Sequence, residues 1–256
     1  MLELLHHDTA HGQITELRLA RPPANALNLE LLQALRQAIE NAPSQGARGL
    51  ILSGAPGMFS AGVDVPALLA LDRAGVEAFW RAFFAACAAL ARAPVPVVAA
   101  IGGHSPAGGA VLSLYCDYRV MARGPYRIGL NEVQVGLTAP EVIQLALRRL
   151  VGAYRAERLL VAGTLLDAEA AQACGLVDEL VDGEETSLRS LHWLQALLAL
   201  PARAMLATRR IARAELIDAF ADSDALPVHS FVDAFFQDDT QAVLHALVAR
   251  LKAKSG

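Results

Sequence analysis

The chain has few of the residues that mark disulfide-bonded, metal-binding or redox proteins. It contains only three cysteines, Cys87, Cys116 and Cys174, without CxxC or other metal-ligand spacing. Because all three lie in apolar surroundings, we interpret them as small core residues in a reducing compartment, in preference to reactive thiols.

Basic blocks and long apolar runs are also absent. The formal net charge of the 256 residues is −4, which disfavours nucleic acid or an anionic membrane surface as the main partner. Hydrophobic residues make up 54% of the chain, but runs such as 83–91 and 95–101 end well short of the roughly 20 residues that a membrane span needs. The N-terminus has no secretory or transit pattern, since Glu3, His6 and Asp8 interrupt any apolar segment there. We therefore expect a cytoplasmic protein with no membrane partner.

What the sequence does contain is an alternation of strand and helix patterns. The first strand pattern begins at Gln13 and runs to Leu19, and Val95–Ile101 is apolar throughout, as in a sheet covered on both faces. A helix is predicted from Asn28, a residue suited to the N-cap. The further predicted elements are strands at 50–52, 118–121, 126–128 and 176–181, and helices at 75–92, 110–115, about 140–150, 153–162 and 167–174. Helices dominate from about 185, so the order predicts an α/β layered core with a C-terminal helical extension and one candidate boundary at 182–185.

Two glycine-containing loops stand between a predicted buried strand and a helix. The first runs from Ser53 to Asp64, and the second runs from Gly102 to Gly109. Backbone N–H groups in front of a helix lack intrahelical partners, so two such loops facing each other would form an oxyanion hole. Spacing alone favours the simpler interpretation, in which the glycines only make tight turns. His104, in the second loop, is interpreted as a residue that bonds the backbone.

A third candidate is Glu132, which follows a predicted strand and has apolar neighbours on both sides. Desolvation by such neighbours raises the pKa of a carboxyl group and makes it a better base at neutral pH. Position alone favours an ordinary surface glutamate, and composition does not choose between the two interpretations.

Three motifs follow one another along the chain: Phe59-Ser60-Ala61-Gly62-Val63-Asp64, Ser105-Pro106-Ala107-Gly108-Gly109 and Cys116-Asp117-Tyr118-Arg119. With Pro22-Pro23-Ala24-Asn25-Ala26-Leu27 and Gly175-Leu176-Val177 at either end, this pattern covers most of the chain. It resembles the crotonase (enoyl-CoA hydratase/isomerase) superfamily. The second and third motifs and Ile128-Gly129-Leu130-Asn131-Glu132 are most similar to its Δ3,Δ2-enoyl-CoA isomerase branch.

The resemblance implies a fold and a set of site residues. The implied fold is α/β, a crotonase-like spiral of ββα units over 1–190 that holds an acyl-CoA site. A helical region over 191–256 would trimerise the protein and cover the site. The implied site residues are Glu132 as the catalytic group, the backbone N–H groups of Val63 and Gly108 as an oxyanion hole, Ser60, Ala61, Gly62 and Asp64 along the CoA site, and Asn131 beside the acyl chain.

Val111 departs from the pattern of the family's hydratases. Those enzymes use two glutamates, and the first would fall at Val111, where a valine neither transfers protons nor orients water. Adding water takes two carboxylates, whereas shifting a double bond takes one. The sequence therefore predicts an isomerase that converts 3-enoyl-CoA to 2-enoyl-CoA thioesters, auxiliary to fatty acid beta-oxidation. The alternatives are another crotonase-family reaction, such as enoyl-CoA hydration or thioester hydrolysis, and a non-catalytic acyl-CoA-binding protein.

The resemblance also carries expectations about cofactors and assembly. No metal or separate cofactor is expected, because coenzyme A is part of the substrate. The expected assembly is a homotrimer or a dimer of trimers.

Overall fold

The structure of the chain, a computed structural model, describes residues 1–183, 185–222 and 226–255. Its strands are β1 (Leu2–Thr9), β2 (Gly12–Leu19), β3 (Ala47–Ser53), β4 (Gly57–Met58), β5 (Val97–Ile101), β6 (Gly103–Pro106), β7 (Tyr118–Ala122), β8 (Arg127–Gly129), β9 (Leu166–Asp167) and β10 (Glu179–Val181). Its helices are α1 (Leu29–Asn41), α2 (Val65–Leu69), α3 (Arg73–Arg92), α4 (Gly108–Leu114), α5 (Glu141–Val151), α6 (Ala153–Ala162), α7 (Ala168–Ala173), α8 (Thr186–Leu198), α9 (Ala202–Ala212), α10 (Ala214–Asp218), α11 (Val228–Phe235) and α12 (Asp238–Ser255). A 3-10 turn covers Glu132–Val135.

The strands form two sheets that grow together along the chain. The larger sheet has the order β1-β2-β3-β5-β7-β10, and the smaller has the order β4-β6-β8-β9. Each successive pair, β3 with β4, β5 with β6, and β7 with β8, gives one strand to each sheet and is followed by helical structure. Corresponding strands of successive pairs run parallel in both sheets. This repeat confirms the predicted spiral of ββα units.

The N-terminal strand β1 was not predicted, since the first strand pattern in the sequence begins at Gln13. β1 pairs antiparallel with β2 along its whole length, from Leu2 opposite Leu19 to Thr9 opposite Gly12. It lies at the edge of the sheet, where a strand is held by its backbone ladder and needs no apolar alternation. The polar residues of β1 therefore concealed it.

The segment Gly102–Gly109 was predicted as a loop but contains β6. Gly103 pairs with Gly57 of β4, and a Cβ at Gly103 would lie 1.9 Å from the carbonyl carbon of Gly57. No side chain fits at that distance. This glycine permits two strands to approach closely, and it does not mark a turn.

Helix α3 runs through the interior and carries an aromatic cluster. Phe79, Trp80, Phe83 and Phe84 are all buried, as their helical spacing predicted. Helix α3 is the one helix in the described residues that is long and apolar enough to cross a membrane, but 56% of its most apolar 18-residue segment is buried inside the protein. Buried core helices often have the same length and composition, and we interpret α3 as a core helix.

The C-terminal helices pack on the ββα core at several places. On α8, Leu194 and Leu198 cover the outer face of the larger sheet. Phe231 of α11 packs against Trp80, with 4.7 Å between ring centroids. Helix α12 contacts both α2 and the Glu132–Val135 turn.

The predicted division of the chain at 190 and 191 stays a prediction. Residue 190 lies inside α8, and residue 184 of the candidate boundary at 182–185 is outside the described residues.

Candidate active site

The smaller sheet brings the candidate site segments to one edge. Strands β4, β6 and β8 are parallel neighbours, so their carboxyl ends lie together. The segments that follow these ends are Phe59–Val63, Ala107–Gly108 and Leu130–Glu132. Edges of this kind, where loops leave the carboxyl ends of parallel strands, are the usual place for a binding site in α/β proteins.

The first two segments are in direct contact. A Cβ at Gly62 would lie 3.2 Å from the Gly108 nitrogen and 3.1 Å from the Ala107 Cβ, and Gly62 has a φ of +84°. A Cβ at Gly108 would in turn lie 3.5 Å from the Gly62 Cα. Glycine is required at Gly62 both by its backbone conformation and by this close approach. The two glycine loops therefore face each other, as an oxyanion hole requires.

The orientation of the Val63 amide follows from the peptide plane that it shares with Gly62. The Gly62 carbonyl accepts a hydrogen bond of 2.7 Å from the Leu27 N–H. In a planar trans peptide the carbonyl and the N–H point in opposite directions, so the Val63 N–H points away from Leu27. The next N–H, that of Asp64, is used by the Leu27 carbonyl at 2.9 Å.

The Gly108 amide is oriented in the same manner at the start of α4. The Ala107 carbonyl accepts the N–H of Val111 at 2.9 Å, so the Gly108 N–H points out in front of the helix. Ala107 has φ 48° and ψ −124°, a conformation that costs a residue with a Cβ on the order of 1–3 kcal/mol. The Ala107 N–H donates to the Gly129 carbonyl at 2.8 Å, which anchors this strained residue to the end of β8.

Neither of these two amides has a partner within the described part of the chain. No hydrogen bond there uses the N–H of Val63 or of Gly108 as its donor. Two unpaired donors from adjoining loops are suited to one acceptor that gains negative charge during a reaction.

Glu132 is the carboxylate of this edge. Its Oε2 atom is buried and has no hydrogen-bond partner among the described residues, although the residue as a whole is only partly buried. Burial raises the pKa of the carboxyl group to about 7, and a hydrogen bond from its own backbone N–H opposes part of that shift. A carboxylate in this state is divided between its charged and neutral forms near neutral pH, which suits it to accept and return a proton.

Asn131 and Val111 are the two further positions that the sequence singled out. The Oδ1 atom of Asn131 is also buried and unpaired within the described residues, so two polar atoms lack partners side by side in the chain. Val111 lies on α4 and is 1% exposed, within the main hydrophobic core. The position at which a second glutamate would fall is therefore apolar and closed to water.

The remaining predicted site residues lie in the Phe59–Val63 loop or next to it. Ser60 is fully buried, and its hydroxyl accepts the Gly62 N–H at 3.1 Å. The Asp64 carboxylate caps α2 by accepting the Ala67 N–H at 3.0 Å, and it pairs with Arg21 at 2.5 Å. The Ala61 N–H donates to the Ala24 carbonyl at 2.9 Å. These side chains have defined structural contacts, and their parts in substrate binding stay predictions.

His104 and the three cysteines were predicted to have no part in catalysis, and the structure bears on both predictions. His104 accepts the Arg127 N–H at 3.1 Å, which confirms that it bonds the backbone. Burial raises the pKa of the Cys87 thiol and raises that of Cys116 to about 12, so both are inert core residues as predicted. Cys174 is only partly buried.

The segment Arg21–Leu27 holds the first loop, although no pattern in the sequence predicts this role. The one signal in the sequence is Asn25, which follows a pair of prolines and has a φ of +50°, a conformation that asparagine tolerates better than most residues. Ala107 gives no comparable signal, because alanine is not typical of positive φ.

Two facing amides without a partner in the described residues, and a carboxylate with a buried oxygen at the same sheet edge, are the groups that an enzyme acting on an oxyanion would need. The comparisons with known proteins agree with an enzyme of that kind. The family model for enoyl-CoA hydratase/isomerase matches residues 9–255. The chain therefore belongs to the enoyl-CoA hydratase/isomerase family, and it is a crotonase-family enzyme with the fold of that family.

Some of the individual relatives are named isomerases, and others are named hydratases. Human mitochondrial enoyl-CoA delta isomerase 1 is 32% identical over 256 residues, which cover 99% of this chain and 84% of the relative. A crystal structure of human mitochondrial Δ3,Δ2-enoyl-CoA isomerase has a TM-score of 0.92 at 32% identity, over 99% of each chain. A probable enoyl-CoA hydratase from Mycobacterium avium is 34% identical over 197 residues, or 75% of each chain.

Proposed function

We propose that this chain is an isomerase that shifts the double bond of 3-enoyl-CoA thioesters to the 2-position, with Glu132 as its single proton carrier. Two observations carry this proposal: the buried Oε2 atom of Glu132 has no hydrogen-bond partner within the described residues, and the position of a second glutamate is taken by the buried, apolar Val111. The acyl-CoA substrate is the one that the family and the human isomerases named above handle. The identity to these isomerases extends over almost the whole chain, whereas the match to the mycobacterial hydratase covers three quarters of it.

One carboxylate is sufficient for this reaction. Glu132 removes a proton from C2 of the substrate, and the electron pair of the broken C–H bond spreads over C2, C4 and the thioester oxygen as a dienolate. The protonated Glu132 then delivers the proton to C4 on the same face. The double bond has moved from C3–C4 to C2–C3, the carboxylate is regenerated, and neither water nor an oxidant is consumed.

The two amides act on the intermediate. The thioester oxygen carries more negative charge in the dienolate than in the substrate, so donors aimed at it lower the barrier more than they tighten binding. We assign this part to the N–H groups of Val63 and Gly108. Loss of one such donor typically costs about 3–4 kcal/mol of barrier, which is about 10²–10³ in kcat.

Hydration is the second candidate, because the Mycobacterium avium relative is named a probable hydratase. Adding water requires a group that holds and deprotonates the water while a second group protonates the α-carbon. Val111 is 1% exposed in the core and supplies no such group. Hydration would therefore need a residue outside the pattern of the family's hydratases.

The proposal includes the setting of the reaction. Coenzyme A enters as part of the substrate, and beta-oxidation of unsaturated fatty acids is the process that forms 3-enoyl-CoA thioesters. The homotrimer or dimer of trimers and the cytoplasmic location stay predictions; the human and rodent relatives are named mitochondrial.

Product analysis tests the proposal. Purified protein is given a 3-enoyl-CoA and, separately, a 2-enoyl-CoA, and the products are identified by chromatography and mass. We expect the first substrate to be isomerised without change of mass and the second to gain no water. Hydrated product from the 2-enoyl substrate at a rate equal to or above isomerisation would overturn the proposal.

The pH dependence of kcat/KM is expected to follow the Glu132 carboxyl group. Because that group must be ionised to accept a proton, the rate rises about tenfold per pH unit below a pKa of about 7 and levels off above it. The measurement is kcat/KM for a 3-enoyl-CoA between about pH 5.5 and 8.5. A flat profile through this range would mean that a different group takes the proton from C2.

A further inference from the structure

We infer that Asn25 is a positioning residue that sets the direction of the Val63 amide, an inference that rests on the proposed function. Asn25 lies outside the glycine loops, 2% exposed, in the turn that follows β2. Its backbone and its side chain together make the connection between this turn and the Phe59–Asp64 loop.

The side chain of Asn25 uses both of its ends. Its amide nitrogen donates to the carbonyls of Phe59 at 3.1 Å and Met58 at 3.3 Å, where the chain leaves β4. Its amide oxygen accepts the Arg21 N–H at 2.9 Å. One side chain thereby ties the turn to the beginning of the loop.

The backbone of Asn25 extends the connection toward the amide. The Asn25 carbonyl accepts the Ser60 hydroxyl at 2.8 Å, and the Ser60 hydroxyl oxygen accepts the Gly62 N–H at 3.1 Å. The Gly62 carbonyl, on the other side of that residue, is held by the Leu27 N–H. Both peptide planes of Gly62 are therefore fixed by the turn that Asn25 organises, and the second of them contains the Val63 N–H.

Asparagine is suited to this position for two reasons. It accepts the left-handed conformation at φ +50° with less strain than most residues. It also offers two donors and one acceptor on a short side chain, which matches two carbonyls and one N–H. Aspartate keeps the acceptor but turns a carboxylate toward the two carbonyls, and glycine keeps the backbone conformation without any side-chain bond.

Direction matters more than proximity for the Val63 amide. Hydrogen bonds weaken steeply as the donor angle closes, and a rotation of the Gly62–Val63 peptide plane changes that angle at the thioester oxygen. Binding of the rest of the substrate does not depend on this angle. A change at Asn25 should therefore reduce turnover far more than it reduces affinity.

The test compares Asn25→Asp and Asn25→Gly with the wild type and with Asn28→Asp. Asn28 lies three residues further on and caps α1 through the Leu31 N–H at 2.9 Å, a role that aspartate fulfils equally well. Three quantities are measured on each folded variant: kcat with a 3-enoyl-CoA, Kd for a saturated acyl-CoA, and the infrared carbonyl stretch of that acyl-CoA labelled with carbon-13 at the thioester. The stretch reports polarisation of the carbonyl by the two amides and does not require turnover.

We expect both Asn25 variants to lose about 10- to 100-fold in kcat, with Kd altered no more than a few-fold. Their bound carbonyl stretch should return toward the frequency of the free thioester, while Asn28→Asp matches the wild type. An unchanged stretch in folded Asn25 variants, with or without a lower melting temperature, would overturn the inference. Absence of any shift in the wild type would overturn it too. If the wild type turns over no 3-enoyl-CoA but the stretch responds to Asn25, the isomerase proposal fails and the positioning role stands.

Discussion

Glu132→Gln is expected to lower kcat for isomerisation by about 10²–10⁴-fold, the usual contribution of a general base. Glutamine has nearly the same shape as the protonated glutamate but cannot accept the C2 proton. The loss should fall on kcat and leave the affinity for a saturated acyl-CoA close to that of the wild type. Because the Oε2 atom of Glu132 has no hydrogen-bond partner within the described residues, the neutral side chain breaks no contact of that atom.

A matched control distinguishes the loss of the Glu132 carboxylate from any effect that a glutamate-to-glutamine substitution has elsewhere in the chain. Glu141→Gln makes the same change nine residues further along, at a side chain that is 72% exposed and pairs with Arg148. Its kcat should equal that of the wild type. Near-wild-type turnover in Glu132→Gln would show that another group moves the proton, and the role assigned to Glu132 would be wrong.

Asp117→Ala is expected to cost about 3–5 kcal/mol in the free energy of unfolding, as the loss of one partner from a buried ion pair does. Asp117 joins the core to the C-terminal helices through two arginines. Arg209 binds both carboxylate oxygens at 2.8 Å, and Arg213 binds one of them at 3.0 Å. The carboxylate also accepts the Val97 N–H at 2.8 Å, at the start of β5.

The expected loss of stability in Asp117→Ala is large because Arg209 and Arg213 would keep their positive charges without a carboxylate partner. The side chains of Arg213 and Arg209 are 3% and 12% exposed, and burial already lowers the pKa of Arg213. Without Asp117, the buried guanidinium group of Arg213 and the partly buried one of Arg209 would repel each other with no carboxylate between them. A chain of this size loses about 2–4 °C in melting temperature per kcal/mol, so Asp117→Ala should melt roughly 10 °C lower.

Glu40→Ala is the control for Asp117→Ala. It breaks the Arg36–Glu40 pair, whose side chains are 50% and 47% exposed, and it should cost less than about 0.5 kcal/mol. Both free energies are measured by urea unfolding at one pH and salt concentration. A cost at Asp117 no larger than that at Glu40 would mean that the Asp117 ion pairs contribute little to the attachment of the C-terminal helices.

Much of the fold could be predicted because its elements carry strong local patterns. Asn28 caps α1 and Val95–Ile101 contains β5, since a cap residue and an apolar run depend on few neighbours. Strand β1 escaped because an edge strand is defined by its partner, and a polar edge has no alternation to detect. Gly103 was misread for a related reason: its lack of a side chain serves a contact with Gly57, which is distant in sequence.

In the candidate site, too, features with a local sequence pattern could be predicted, and features that depend on distant contacts could not. The residue pattern located the two loops and Glu132 but left the tight-turn and surface-glutamate interpretations open, and only the resemblance gave these residues a role. The burial of the Glu132 carboxylate depends on tertiary packing that no local pattern contains. The directions of the two amides depend on individual hydrogen bonds to Leu27 and Val111, and the part of Asn25 emerges only from its contacts across the fold.

The central claim is that one carboxylate carries a proton from C2 to C4. It is tested most directly by a single turnover of 3-enoyl-CoA deuterated at C2, run in ordinary water, with the position of the label read by nuclear magnetic resonance and mass. The account predicts 2-enoyl-CoA with deuterium at C4 in part of the product, because the buried Glu132 returns the atom that it removed before full exchange with solvent. Solvent hydrogen at C4 in every product molecule, or a product that has gained water, would contradict it.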